Sequence, residues 1–229
     1  MTKFYVGLDL GQSNDYTAVS VLEKLTDQNE ASYHVRHLER VRGVPYPVIV
    51  DKVAEMMHSP ALKDQAVLVV DQTGVGAPVV DLFNQAALNP VGVLIHAGAD
   101  VKNEGRTWKV PKRDLVATLQ VLFQTSRLKI SSKLPLAEVL QNELLNFKVK
   151  IDPATAHDSY SAWREGIHDD LVLSVALACW WAERGDEQIW LELPAHFIHR
   201  PYSLGSTQER MQAWQRTRSG PAPVNYYNL

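Results

Sequence analysis

Apolar residues alternate with small or polar ones from the first turn of the chain. In KFYVGLDLG, Phe4, Val6, Leu8 and Leu10 share one face of a strand, while Tyr5, Gly7, Asp9 and Gly11 share the other. Two further alternating stretches, at about 16–23 and 32–41, are joined by the polar run EKLTDQNEAS, which predicts an antiparallel meander of three strands. A helix is expected at 46–58, with Val48, Val53, Met56 and Met57 on its apolar face. AVLVVD at 66–71 and VGVLIH at 91–96 are nearly continuous apolar runs, as in strands covered on both sides. Between them, TGVGAPVVDLFNQAAL supplies a glycine-rich turn and a helix from near Pro78, completing a βαβ unit. Further helices are expected at 111–128, where Leu115, Leu119 and Leu122 recur at helical spacing, and at 135–146 and 171–184; FKVKI at 147–151 reads as one more strand. The pattern predicts an α/β domain over residues 1–185, with a mixed central sheet flanked by helices. Residues 186–229 lack periodicity apart from a short helical stretch and read as an extended arm.

Composition narrows the chemistry. At 229 residues and 45% hydrophobic content the chain can bury one substantial core. Cys179 is the only cysteine, which excludes an internal disulfide and a cysteine-built zinc site. The longest apolar run, LVLSVALACWWA, is too short to span a bilayer, and no basic-then-apolar leader is apparent at the N-terminus. The expectation is a soluble cytoplasmic protein. Its formal net charge of −3 gives no general case for nucleic acid, but the segment from Asp100 to Lys133 carries a local excess of five positive charges.

The candidate chemistry lies in the acids. Asp9 lies in the first strand, at 3–10, and Asp71 at the C-terminal end of a buried one, and they become neighbours if those strands run parallel and adjacent. HDDLVLSVALA places Asp169 and Asp170 at the start of the late helix, where negative charge is favoured. An N-cap explains one acid there but not two. Carboxylates gathered within about 4 Å repel one another by roughly 4 kcal/mol per pair at an effective dielectric near 20, so the group needs protons or a divalent cation. An all-Asp donor set suits Mg²⁺ or Mn²⁺.

GLDLG, VVDQTGVG and HDDLVLSVALA together resemble the nuclease domain of phage large terminase subunits, within the RNase H/RuvC-like superfamily. The resemblance covers residues 3–184 and includes VPKRDLVATLQVLFQTSRLKI between the second and third acids. It implies an RNase H-like fold and a DNA endonuclease that cuts double-stranded DNA with two Mg²⁺ or Mn²⁺ ions. Asp9 and Asp71 match the first two metal-binding acids, and Asp169 or Asp170 the third; His168 would adjust the site or position the scissile phosphate. It also implies a packaging ATPase motor or a portal protein as partners, the arm being the portal contact. No GxxxxGK[ST] motif occurs, so the motor's phosphate-binding loop is missing from this sequence.

VKNEGRTWKVPKR brings five basic side chains beside Trp108, and Arg106, Lys109, Lys112 and Arg113 are the candidate DNA contacts. Trp163, Trp180, Trp181 and Trp190 read as packing residues. GLDLGQSNDYTAV also resembles the first phosphate-binding hairpin of actin/Hsp70-type ATPases, but that scheme encloses nucleotide between two such domains and has no role for the HDD pair. A non-catalytic DNA- or portal-binding module on the same fold is the third reading.

Overall fold

The computed structural model describes residues 3–11, 15–28, 30–75, 77–147, 150–151, 158–159 and 168–191. The meander is β1 (Lys3–Asp9), β2 (Tyr16–Asp27) and β3 (Glu30–Arg42), followed by α1 (Tyr46–Met57). The βαβ unit is β4 (Ala66–Asp71), α2 (Ala77–Gln85) and β5 (Val91–His96). After it come β6 (Lys102–Glu104), β7 (Thr107–Pro111), α3 (Lys112–Gln124), β8 (Leu128–Ile130) and α4 (Ala137–Asn146). The last described elements are β9 (Lys150–Ile151), β10 (Asp158–Ser159) and α5 (Asp170–Leu191). Eight strands form one sheet in the order β6-β7-β5-β4-β1-β2-β3-β8, and β9 and β10 pair separately.

Four expectations are corrected in detail. The polar run between the second and third strands is not a loop: β2 and β3 stay paired as far as Asp27 opposite Glu30, because the ladder is made by backbone groups whatever the side chains. The basic stretch ahead of α3 is a hairpin, β6 against β7, and β7 joins the sheet beside β5. The helix expected to reach 128 stops at Gln124. There Ser126 turns with φ 56° and the Arg127 N–H reaches back to the Leu122 carbonyl, after which β8 pairs with β3. Of the strand expected at 147–151, Lys150 and Ile151 pair with β10, and residues 148–149 lie outside the described residues. The late helix, by contrast, runs on to Leu191, and the arm expected beyond it lies outside the described residues.

The alternation in β1 divides the core. Val6, Leu8 and Leu10 pack with α1 and α2 through Ile49, Val53, Val79 and Phe83. Tyr5, on the opposite face, belongs with α3, α4 and α5, whose Leu115, Leu119, Leu140 and Leu171–Ala182 fill the second layer. Every residue of α5 from Asp170 to Ala182 is buried, which accounts for a helix that is apolar all round. Trp180 and Trp181 pack edge-on against Trp108, whose ring thereby serves the core, with centroids 5.9 and 5.7 Å away; the other two tryptophans expected to pack, Trp163 and the Trp190 side chain, lie outside what is described. Among the described residues no helix is long and apolar enough to cross a membrane.

Gly7 fixes how closely α5 approaches the sheet. A Cβ built on it would lie 1.9 Å from the Ser174 carbonyl oxygen, so backbone rests directly on backbone. Asp170 is one helical turn before Ser174, and Asp9 is two residues beyond Gly7 on the same face of β1. The contact therefore sets the third candidate acid over the first. Gly7→Ala should displace α5 and cost at least about 2 kcal/mol of stability, measured as the shift in urea midpoint at constant slope.

Candidate metal centre at the carboxyl ends of the central strands

Registry across the sheet builds one row of side chains. Asp9 pairs with Ala18, and Ala18 with Arg40. On the other side Leu8 pairs with Val70 in parallel, so the next step sets Asp9 level with Asp71. Asp71, Asp9, Ala18 and Arg40 thus lie in one line on the face that α5 covers, with the small Ala18 leaving room between acid and guanidinium. The expected adjacency of the first and fourth strands is met. A cleft of about 450 Å³ lined by Gly11, Asp15, Thr17, Pro45, Tyr46 and Gly74 lies next to the end of β1, and none of the four acids lines it.

Asp71 is 7% exposed. The Thr73 N–H donates to its Oδ1 at 2.7 Å, while the Thr73 Oγ1 accepts from the Ile95 N–H at 2.7 Å. Burial raises its carboxyl to about 6, against the lowering effect of Thr73 and Lys112. Asp9 is pushed well above the usual carboxylate range, first by burial and then by repulsion from Asp71, Asp170 and Asp169, with Lys112 opposing. The four candidate acids share one field. Asp170, 8% exposed, is raised by burial against the pull of Arg40 and His168.

Two cations from distant segments enter the site. Lys112, the first residue of α3, places its Nζ 3.0 Å from Asp169 Oδ2. The Arg40 Nη2 lies 3.0 Å from Asp170 Oδ2 and its Nη1 3.3 Å from Glu143 Oε1. His168 Nδ1 is 3.7 Å from Asp170 Oδ2, and its ring meets Tyr16 edge-on at 4.8 Å; Arg40 lies over the Tyr16 ring at 3.8 Å.

Sequence reading missed Arg40 and Glu143. Arg40 stands two residues from the buried Leu38 and so falls on the covered face of its strand, and Glu143 is a carboxylate three residues from the buried Leu140 on an apolar helix face. An ionisable residue in phase with a core stripe was the available signal in both.

The candidate DNA contacts are distributed differently. Arg106 donates to the Asn89 and Pro90 carbonyls, Lys109 pairs with Glu104 at 2.7 Å across the hairpin, and Arg113 reaches the Ala99 carbonyl at 2.7 Å. Lys112 alone of the four points into the acids.

Among the described residues no three His, Cys, Asp or Glu side chains stand close enough together to hold a metal ion as placed. Lys112 and Arg40 instead hold Asp169 and Asp170. The donor type nevertheless fits a hard divalent cation: four carboxylates converge, two of them strongly disfavoured as anions, without a thiolate among them.

A mixed sheet with β1 central, helices on both faces and acids at the ends of β1 and β4 defines an RNase H-like α/β domain. A family model described as the terminase RNaseH-like domain matches residues 6–178, and the chain belongs to that family. The large terminase subunits of Thermus phage G20c and Thermus virus P23-45 are each 26% identical to it over 175 residues, covering 76% of this chain and 31% of theirs. The chain therefore spans about a third of the length of these relatives. The crystal structure of the large terminase nuclease from phage G20c superposes with a TM-score of 0.57 at 22% identity, covering 80% of this chain and 82% of that one. The P22 large terminase nuclease domain does so with 0.52 at 10% identity, over 80% and 82%.

The raised carboxyl of Asp71 has a definite sign for stability. Unfolding returns its pKa from about 6 to 3.8, so between those values the folded state holds more protons, and stability falls as pH rises through the interval. Without divalent ions, Asp71→Asn should gain stability over wild type as pH goes from 4 to 7, by up to about 3 kcal/mol. Denaturation midpoints of the two proteins across that range measure it.

Proposed function

We propose that this chain is a metal-dependent endonuclease that hydrolyses phosphodiester bonds of double-stranded DNA. The observation that supports the reading is that Asp9, Asp71, Asp169 and Asp170, from three remote segments, lie within one another's electrostatic reach at one end of an RNase H-like sheet. Nothing in packing requires that arrangement, and its mutual repulsion costs stability. Asp9, Asp71 and one of the α5 acids would hold Mg²⁺ or Mn²⁺, two ions in all, the other α5 acid completing the set. When bound, the ions supply a water nucleophile at neutral pH and stabilise charge on the departing oxygen.

The protein's own groups do the rest. Thr73 fixes the Asp71 rotamer, so that one carboxylate oxygen is held in place and the other is left for the site. Lys112 and Arg40 neutralise Asp169 and Asp170, which keeps four acids tolerable in one place, a role that a bound divalent ion would share. His168, against Asp170 and Tyr16, stands where a substrate phosphate would approach the α5 acids. Duplex DNA is drawn past the acids by the basic surface of the β6–β7 hairpin and the start of α3, through Arg106, Lys109, Lys112 and Arg113. The likeness to large terminase subunits supports a separate packaging ATPase or a portal protein as a working partner.

Supercoiled plasmid incubated with the protein and Mn²⁺ should be nicked and linearised, and Asp71→Asn or Asp9→Asn should reduce this by at least about a hundredfold. Cleavage that survives either substitution overturns the reading. DNA binding without cleavage in any divalent ion would assign the non-catalytic module instead. Neutralising Lys109, Lys112 and Arg113 together should weaken duplex binding and reduce the slope of log K against log salt by roughly 0.9 for each phosphate no longer neutralised. Titration of a fluorescent duplex at several salt concentrations reads both quantities.

A further inference from the structure

We propose that Glu143 and Arg40 are positioning residues, which together fix the amino end of α5 and with it the Asp170 carboxylate. The proposal rests on the reading of the site as a metal-dependent nuclease centre.

Helix α5 does not cap itself. The Asp169 carbonyl accepts the Leu173 N–H at 2.9 Å, which makes Asp169 the N-cap residue. An N-cap Asp ordinarily spends its own carboxylate on the N–H groups two and three residues on. Here those two groups, on Leu171 and Val172, donate instead to Glu143 Oε2, at 2.9 and 3.1 Å. An acid 28 residues upstream of Leu171, on a different helix, thereby takes over the cap. Both α5 acids keep their carboxylates for the site.

Arg40 closes the ring. Its Nη2 donates a hydrogen bond to Asp170 Oδ2 and its Nη1 forms an ion pair, without a hydrogen bond, with Glu143 Oε1, while the guanidinium lies over the Tyr16 ring. Glu143 holds the helix end, Arg40 holds Glu143, and the same guanidinium holds the side chain of the first helical residue. A planar fork can face two carboxylates at once in this way; a lysine ammonium keeps the charge and loses the span. The cap needs the Glu143 acceptor but not the guanidinium, and burying a cation beside Glu143, which is 7% exposed, is by itself a poor route to stability. Orientation of Asp170 is what the pair supplies and apolar residues would not.

The test uses the full chain with Glu143→Ala, Arg40→Lys and Arg40→Gln beside wild type and Asp71→Asn. With Mn²⁺ and duplex DNA, Arg40→Lys should lose about 10–100-fold in kcat with KM little changed, and Arg40→Gln should be no worse. Wild-type kcat in Arg40→Lys means that only charge is needed there, and overturns the proposal. Without metal, Leu171 and Val172 amides in Glu143→Ala should exchange about fivefold faster, with Ala176–Ala178 unaltered. Unchanged exchange also overturns it. If wild type neither cleaves DNA nor gains thermal stability with Mn²⁺, the nuclease reading has failed, and amide exchange alone decides whether Glu143 holds the helix end. If Glu143→Ala does not fold, exchange at Leu171 and Val172 in Arg40→Lys, which keeps the cap acceptor but frees it from the fork, decides in the same way.

Discussion

The seating of α5 on bare backbone at Gly7 governs the molecule. A helix normally stands off a sheet by the length of the side chains between them, and at that distance an acid on its first turn would feel an acid on the strand beneath more weakly. With the Ser174 carbonyl laid against Gly7, the start of α5 comes within the field of Asp9 and Asp71. The apolar run from Leu171 to Ala182 supplies the adhesion, since each side of the helix is buried. Core and site are consequences of one contact.

That dependence explains why the acids can persist. Asp9, Asp71 and Asp170 are each shifted toward the protonated form, and Glu143 is raised to about 7, mainly by burial, despite two N–H donors and Arg40. Among the described residues, fewer basic side chains than carboxylates meet in this cluster: Lys112, Arg40 and His168 against Asp9, Asp71, Asp169, Asp170 and Glu143. A fold held by less than α5 provides would relax by moving the helix outward. Burial of an uninterrupted apolar surface is what makes the strain sustainable.

Much of this was legible in the sequence, because its determinants are local. The strand faces of β1, the apolar runs of β4 and β5 and the acids that close β1 and β4 follow from period and position. Glycine at position 7 was readable as space beside Asp9, though not as the seat of a helix. What escaped depends on registry between segments far apart in the chain. Arg40 matters because Ala18 stands between it and Asp9 in the ladder, and nothing near residue 40 announces that. The hairpin of β6 and β7 was hidden by its charges, since strand pairing there uses backbone and leaves the side chains polar. Lys112 read as one more basic residue in a charged stretch, yet the turn from β7 into α3 aims it at Asp169 while its neighbours bind their own loop.

The partition among those basic residues bears on how a polyanion could approach so acidic a pocket. Arg106, Lys109 and Arg113 satisfy carbonyls or Glu104 at the surface, where exchange of such partners for phosphate oxygens costs little because water already screens them. Lys112 is more enclosed, and releasing Asp169 exposes an anion that must at once find another counter-charge. A divalent ion meets that need; a phosphate does not. Under the proposed function, metal entry and DNA docking are therefore unequal steps: the outer cations are free to engage DNA at any time, while Lys112 turns outward only after the acids have a replacement for it. Order of binding would then follow from the difference in burial between Lys112 and the outer cations.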